Sequence, residues 1–222
     1  GMVDGLLLVL PREPQDLIAT MQEFRFPFVL IDHQGTDEDC PAVGAANWSG
    51  GYSATEYLIQ LGHQRIGHIT GSMDLGCAVD RLAGYRSALK TYHLDESPEL
   101  VYEGDFAQPD GYEGALALMD LPNPPTAIFA ANDVMAMGVM DAVRTRGMRV
   151  PQDISIVGFD NIPQASLIRP ALTTIHQPLE KMGRVATQIL LNMLEDPENQ
   201  KTRIELPTQL VIRDSCGKLR KK

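Results

Sequence analysis

The apolar runs of this chain keep ending in side chains that hydrogen-bond. Asp32 and His33 close "FVLID", Gly71 and Ser72 follow "RIGHIT", Asn132 and Asp133 follow "AIFAA", and Asp160 and Asn161 end "ISIVGFD". Asp105 and Phe106, and then His176 and Gln177, stand in comparable places. Carboxylates and amides dominate this set, with little Lys or Arg. Such a set suits a neutral, polyhydroxylated ligand better than a phosphate, because a planar carboxylate or amide can engage two adjacent hydroxyls. Asn132 offers a donor and an acceptor and Asp160 acceptors only, so together they would discriminate the placement of hydroxyls.

Each of these residues also has a plainer reading. Asp133, directly before "VMAMGVMDAV", reads as the N-cap of that helix, which leaves Asn132 to face a ligand. Asp160 and Asn161 precede Ile162 and Pro163, where a turn can use either side chain for its own backbone bonds. Phe106 reads as a core residue or as a stacking face. His33 and His176 are isolated in sequence, in the manner of packing or surface residues. Met135, Met137 and Met140 read as helix core or subunit interface, and Trp48 as a packing anchor. An enzyme using Asp105, Asp133 or Asp160 on a metal would need those acids clustered. HExxH, P-loop, GxSxG and paired-cysteine motifs are all missing, so neither catalysis nor a cofactor is expected.

The elements that must position these groups follow from periodicity. "GLLLVL", "FVLID", "RIGHIT", "AIFAAN" and "ISIVGFD" are short and uniformly apolar, as parallel strands buried on both faces would be. Between them Ala54, Leu58 and Leu61, then Tyr112, Ala115, Leu116 and Met119, then Ala136, Val139, Met140 and Val143 recur at helical spacing. Gly62 and Gly147 read as helix C-caps. Alternating strands and helices make an α/β fold with parallel sheets and right-handed crossovers. In such sheets ligands bind beyond the carboxyl ends of the strands, where the polar set lies.

Bulk properties narrow the function further. Among 222 residues, 19 Lys and Arg face 29 Asp and Glu for a formal charge of −10, unsuited to tracking a phosphate backbone. Cys40, Cys77 and Cys216 are odd in number and widely spaced, as reduced cytosolic thiols are. "GLLLVLP" is too short to span a bilayer and lacks the basic flank of a signal peptide, so a cytoplasmic location is expected. Gly1 before Met2 reads as a tag scar and "KLRKK" as a solvated tail.

In order along the chain, "YLIQLGHQRIGHITG", "DRLAGYRSAL", "PTAIFAANDVMAMGVMDAVRTRGMRVPQDISIVGFDN", "PALTTIHQP" and "LVIRDS" resemble the effector-binding core of the LacI/GalR family of bacterial transcription regulators. The resemblance implies a periplasmic-binding-protein-like fold of two lobes that close on a small effector, homodimerisation, and operator DNA read by a helix-turn-helix head. It implies that Arg81, Asn132 and Asp160 hydrogen-bond the effector, that Asp32 and His33 reach it from the other lobe, and that Phe106 stacks on it. Gln177 completes the expected set. Arg81 precedes Leu82, Tyr85 and Leu89 on a helical pattern, so it is expected near a helix start, offering its fork of donors or pairing with Asp80.

Two departures from the family pattern stand out. Ala46 occupies a position where many relatives carry an acid, and the chain starts at what resembles the third strand of the first lobe. An incomplete first lobe is thus expected at residues 1–45 and 178–207, a second lobe at 46–177 and 208–216, and a tail at 217–222. Loss of an internal strand should expose a sheet edge and apolar surface. The effector is expected to be a sugar or derivative, with purines or nucleosides the other class. A truncated, effector-blind dimerisation module and a periplasmic-type sugar-binding protein are the competing readings.

Overall fold

The computed structural model describes residues 3–9, 15–32, 40–196 and 202–219. In chain order they form β1 (Leu6–Val9), α1 (Gln15–Glu23), β2 (Phe28–Ile31) and β3 (Ala42–Ala45). Alternation then becomes regular: α2 (Asn47–Gln60), β4 (Ile66–Thr70), α3 (Gly76–Thr91), β5 (Val101–Glu103), α4 (Gln108–Met119), β6 (Ala127–Ala130) and α5 (Asp133–Thr145). After these come β7 (Ser155–Asp160), α6 (Pro163–Leu167), β8 (Thr173–His176), α7 (Leu179–Glu195), β9 (Arg203–Leu206) and β10 (Gln209–Val211). The chain divides into two compact units, one of Gly1–Ala46, Asp74–Cys77 and Pro178–Pro207, the other of Asn47–Met73, Ala78–Gln177 and Thr208–Lys222.

The smaller unit holds a parallel sheet in the order β1-β2-β3-β9. Met182, Ala186 and Ile189 of α7 pack on Val29, Ile31, Val43 and Ala45, while Ile18 and Met21 of α1 pack with Phe28, Leu30 and Ala42. Every residue of β2 is buried, as its uniform apolar run demands. β1 corrects the expectation of burial on both faces: it is the edge of the sheet, and Leu7 and Val9 are 36% and 64% exposed. Its alternation of half-buried and exposed positions is what a strand with one covered face shows.

The larger unit holds six strands in the order β10-β8-β7-β6-β4-β5, all parallel except β10, which runs antiparallel to β8. Both faces are covered, and strand residues alternate between them. Ile66, Phe129, Val157, Phe159 and Ile175 pack with Ala54 and Leu58 of α2 and Leu82, Tyr85 and Leu89 of α3. Ile69, Ile128, Ala130 and Ile156 pack with Ala115 and Leu118 of α4 and Met135, Ala136 and Val139 of α5. Each of the Leu, Ile, Val, Phe and Met side chains among them contributes roughly 1.5–3 kcal/mol by leaving water. His68 belongs to this core: it is fully buried, stacks on Phe129 and Tyr85 at 4.5 and 5.0 Å, and burial pushes its pKa down to about 4.

The helices on each face cross at glycines. A Cβ on Gly51 of α2 would lie 2.3 Å from the Arg81 carbonyl oxygen of α3, and one on Gly84 would lie 2.1 Å from that of Trp48. On the other face Gly111 of α4 and Gly138 of α5 meet the carbonyls of Met135 and Gln108 at 2.0 and 2.1 Å in the same reciprocal way. Gly62 and Gly147 adopt φ of +94° and +68° after α2 and α5, the left-handed conformation of a helix C-cap. Trp48 departs from its expected role: it is 45% exposed on α2, stacked on Tyr52 at 5.5 Å rather than anchoring the core. No helix among the described residues is long and apolar enough to cross a membrane.

Candidate functional site

Arg81 organises the carboxyl end of the larger sheet. It is the sixth residue of α3, not near its start as the sequence suggested, and it is only 2% exposed. Its Nε donates to Asn47 Oδ1 at 2.8 Å, Nη1 to the Ala131 carbonyl at 2.7 Å and Nη2 to Gln177 Oε1 at 3.0 Å. The guanidinium carbon lies 3.7 Å from the centre of the Phe159 ring, and Nη1 stands 3.8 Å from Asp160 Oδ1. A guanidinium cannot shed its charge, so burial requires acceptors on several sides. They come from the start of α2 and the ends of β6, β7 and β8, which Arg81 therefore ties together.

Asn132 and Asp133 exchange the roles expected of them. Asn132 is the N-cap of α5, with φ −147° and ψ 171°, and its Oδ1 accepts from the Met135 amide at 2.7 Å. Its Nδ2 donates to the Phe106 carbonyl at 3.0 Å, so both ends of the amide hold backbone. Asp133, the first helical residue, turns inward and is fully buried. Its Oδ1 accepts from Thr174 Oγ1 at 2.5 Å and its Oδ2 from the Ile162 amide at 2.8 Å. Burial raises its pKa to about 6, against the hydrogen bonds from Thr174, Ile162 and Asn161 and the charge of Arg213. The exchange is decided by partners: Asn132, extended at the N-cap, reaches back to the Met135 amide, and Asp133 turns inward to Thr174 and Ile162.

Backbone strain gathers where ligand contacts were expected. Six non-glycine residues among those described have positive φ, and four of them are Asp32 (56°), Phe106 (62°), Asp160 (108°) and Asn161 (62°). Such residues cost on the order of 1–3 kcal/mol each and persist where surrounding contacts over-determine them, commonly at ligand clamps. Phe106 is half-buried. Its ring occupies the space a side chain at Gly71 would need, 2.0 Å from that Cβ position, and its centre lies 5.7 Å from the Arg81 guanidinium carbon.

The structure thus brings Arg81, Phe106, Asn132, Asp160 and Gln177 to one end of the larger sheet. Asp160 is 21% exposed at its side chain, whereas Arg81 and Gln177 lie almost wholly inside. Asn161 Oδ1 accepts from Arg213 Nη2 at 2.6 Å, and its Nδ2 lies 3.3 Å from His176 Nδ1. Asp105 is exposed, its amide donating to Asp110 Oδ2 at 2.9 Å ahead of α4. In the smaller unit Asp32 ends β2, buried, with its amide donating to the Val43 carbonyl at 2.8 Å. His33 lies outside the described residues. Asn47 and Phe159 escaped the sequence reading because an Asn at a helix start signals only a cap and a Phe inside an apolar run only core. Among the described residues no group of three or more His, Cys, Asp or Glu could hold a metal ion.

Fold and site together define a periplasmic-binding-protein-like domain, and residues 55–216 match the family of that description. The chain is 37% identical over 217 residues to the HTH-type transcriptional repressor PurR of Klebsiella pneumoniae, covering 97% of this chain and 64% of that protein. It superposes on the transcriptional regulator CelR–cellobiose complex with a TM-score of 0.91 at 34% identity, over 96% of this chain and 66% of the other. A regulatory protein of the LacI family from Chloroflexus aggregans matches with a TM-score of 0.88 at 33% identity, over 97% of this chain and 77% of the other. The chain belongs to the LacI family of transcription regulators, of which it carries effector-binding sequence. It spans 64% of the length of the curated relatives it matches.

Proposed function

We propose that this chain senses a small neutral effector, a sugar or sugar derivative, for a LacI-type regulator. The observation that carries this reading is the cluster around Arg81, in which a buried cation fixes Gln177 and stands beside the strained, partly exposed Asp160. Asp160 accepts hydrogen bonds from effector hydroxyls. Gln177 and Arg81 set its surroundings, Phe106 offers a ring beside them, and Asn132 holds the Phe106 carbonyl in place. Asp32 and His33 are further proposed contacts, on the strength of the family resemblance alone. The regulator acts in the cytoplasm as a homodimer, senses rather than catalyses, and reads operator DNA through a helix-turn-helix head that these residues do not contain. A relative solved with cellobiose supports the sugar class.

The test is thermal unfolding of the chain with cellobiose, D-ribose, D-galactose, adenine, guanine and adenosine. A compound binding only the native state at a hundred times its Kd adds about 2.7 kcal/mol of stability. The expected result is an upward shift with a sugar that disappears in Asp160→Ala. A shift with nucleobases alone would move the effector to the flat, stacking class. No shift with any of the six would reject the reading.

A further inference from the structure

Two consecutive non-glycine residues with positive φ, Asp160 and Asn161, need something to hold them. Asn161 is gripped by its side chain, through Arg213 and His176, and the Gln177 amide donates to the Asp160 carbonyl at 3.2 Å. Asp133 adds a further restraint. Its carboxylate receives the Ile162 amide at 2.8 Å and the Asn161 amide, both from the turn, and the Thr174 hydroxyl from β8. The carboxylate is packed as well as bonded. A Cβ on Gly158 would lie 2.3 Å from Asp133 Oδ1, so the strand under the turn leaves out a side chain at the point where the acid sits.

We infer that Asp133 is a positioning residue for Asp160: its buried carboxylate holds the 160–162 turn in the left-handed conformation that presents Asp160, and effector affinity depends on its being ionised. The inference rests on the reading of Asp160 as an effector contact. Ionised, the carboxylate has lone pairs for all three donors. Those bonds are charge-assisted, roughly twice as strong as bonds to a neutral acceptor. Protonated on Oδ1, the acid donates to Thr174, whose hydroxyl rotates to accept, and the turn amides are left on a neutral carbonyl oxygen that holds them more weakly.

The charged and titratable groups around Asp133 are few. Arg213, next to β10, favours the ionised form, while burial opposes it more strongly and brings the change of state to about pH 6. Asp160 and the His176 imidazole stand on the two strands that flank the turn. The signs are opposed in a useful way. The native pKa lies above that of an unfolded carboxyl, so Asp133 favours the folded chain increasingly as pH falls from about 6 toward 4. Affinity moves the other way over the same window, falling as the carboxyl takes up its proton and levelling off about tenfold below its value at pH 7.5. A residue with a merely structural role would move stability and affinity together.

The experiment follows the backbone amides of Asn161 and Ile162 by NMR from pH 4.5 to 7.5, in the chain as it stands and in Asp133→Asn. The affinity of the best-binding compound among cellobiose, D-ribose and adenosine is measured in parallel. The expected result is that both amides titrate near pH 6 and lose protection from exchange on the acid side. Asp133→Asn should show the acid-side behaviour at every pH, with about tenfold weaker binding at pH 7.5 than the parent. His176→Ala separates the imidazole's contribution and should leave the amide titration in place. Amides that do not respond near pH 6, or that are unchanged in Asp133→Asn, overturn the inference. If none of the three compounds binds, the reading of Asp160 fails on its own, and the amides still decide whether Asp133 holds the turn.

Discussion

Two ions are buried at the carboxyl end of the larger sheet, one on each face, and they are held in opposite ways. Arg81 lies among the aromatic side chains under α2 and α3, with three neutral acceptors, a ring and a carboxylate around it. Asp133 lies on the aliphatic face under α4 and α5, bonded to two backbone amides and a hydroxyl. The guanidinium keeps its charge at any accessible pH, so only geometry can accommodate it. The carboxyl has a second option, which is to take up a proton. The face with the permanent charge is accordingly fixed, and the face with the weak acid can change state, although both reach the same short turn at Asp160.

Removing the fixed charge should have the largest effect. Arg81→Met leaves Asn47, Gln177 and the Ala131 carbonyl without their donor, a loss on the order of 3–5 kcal/mol, as when one partner of a buried polar set is deleted. At 2–4 °C per kcal/mol for a chain of this size, calorimetry should show a fall of roughly 10 °C. Arg81→Lys should recover only part of it, since an ammonium cannot span the same fork.

On the other face the largest effect should come from crowding. Gly158→Ala forces a methyl group against the Asp133 carboxylate and should cost roughly 1–3 kcal/mol, read from the denaturation midpoint. Asn132→Ala removes the cap of α5 and should cost about 1 kcal/mol. If the Phe106 carbonyl also depends on Asn132, exchange of amides near residue 106 will quicken in the same variant. The smallest change, and the only gain, is expected of Asp160→Gly. Glycine accepts φ of 108° freely, so stability should rise by up to about 1 kcal/mol in urea unfolding, with effector binding lost. A stability loss there would mean that Arg81 draws more from Asp160 than the left-handed backbone costs.

The interior strands of the larger sheet were legible because burial on both faces forces an unbroken apolar run, as in "RIGHIT" and "ISIVGFD". β5, β9 and β10 were not, because short strands near sheet edges need no such run: "VYE", "RIEL" and "QLV" carry no period long enough to read. The strand-end rule located the polar residues at the site. It could not say which of two neighbours, Asn132 or Asp133, would cap and which would turn inward, since both can do either and the decision depends on Thr174 and Ile162, far away in sequence. Nor could it find Asn47, whose role exists only once Arg81 has been folded against it.

The helix crossings at Gly51 and Gly84, and at Gly111 and Gly138, set how the larger unit can deform. With a carbonyl of each helix seated where its partner lacks a side chain, neither pair can slide lengthwise without driving that oxygen into an adjacent residue. Shear between packed helices requires such sliding. The sheet and its four long helices therefore act mechanically as one stiff plate, and compliance is left to the short connections at its rim.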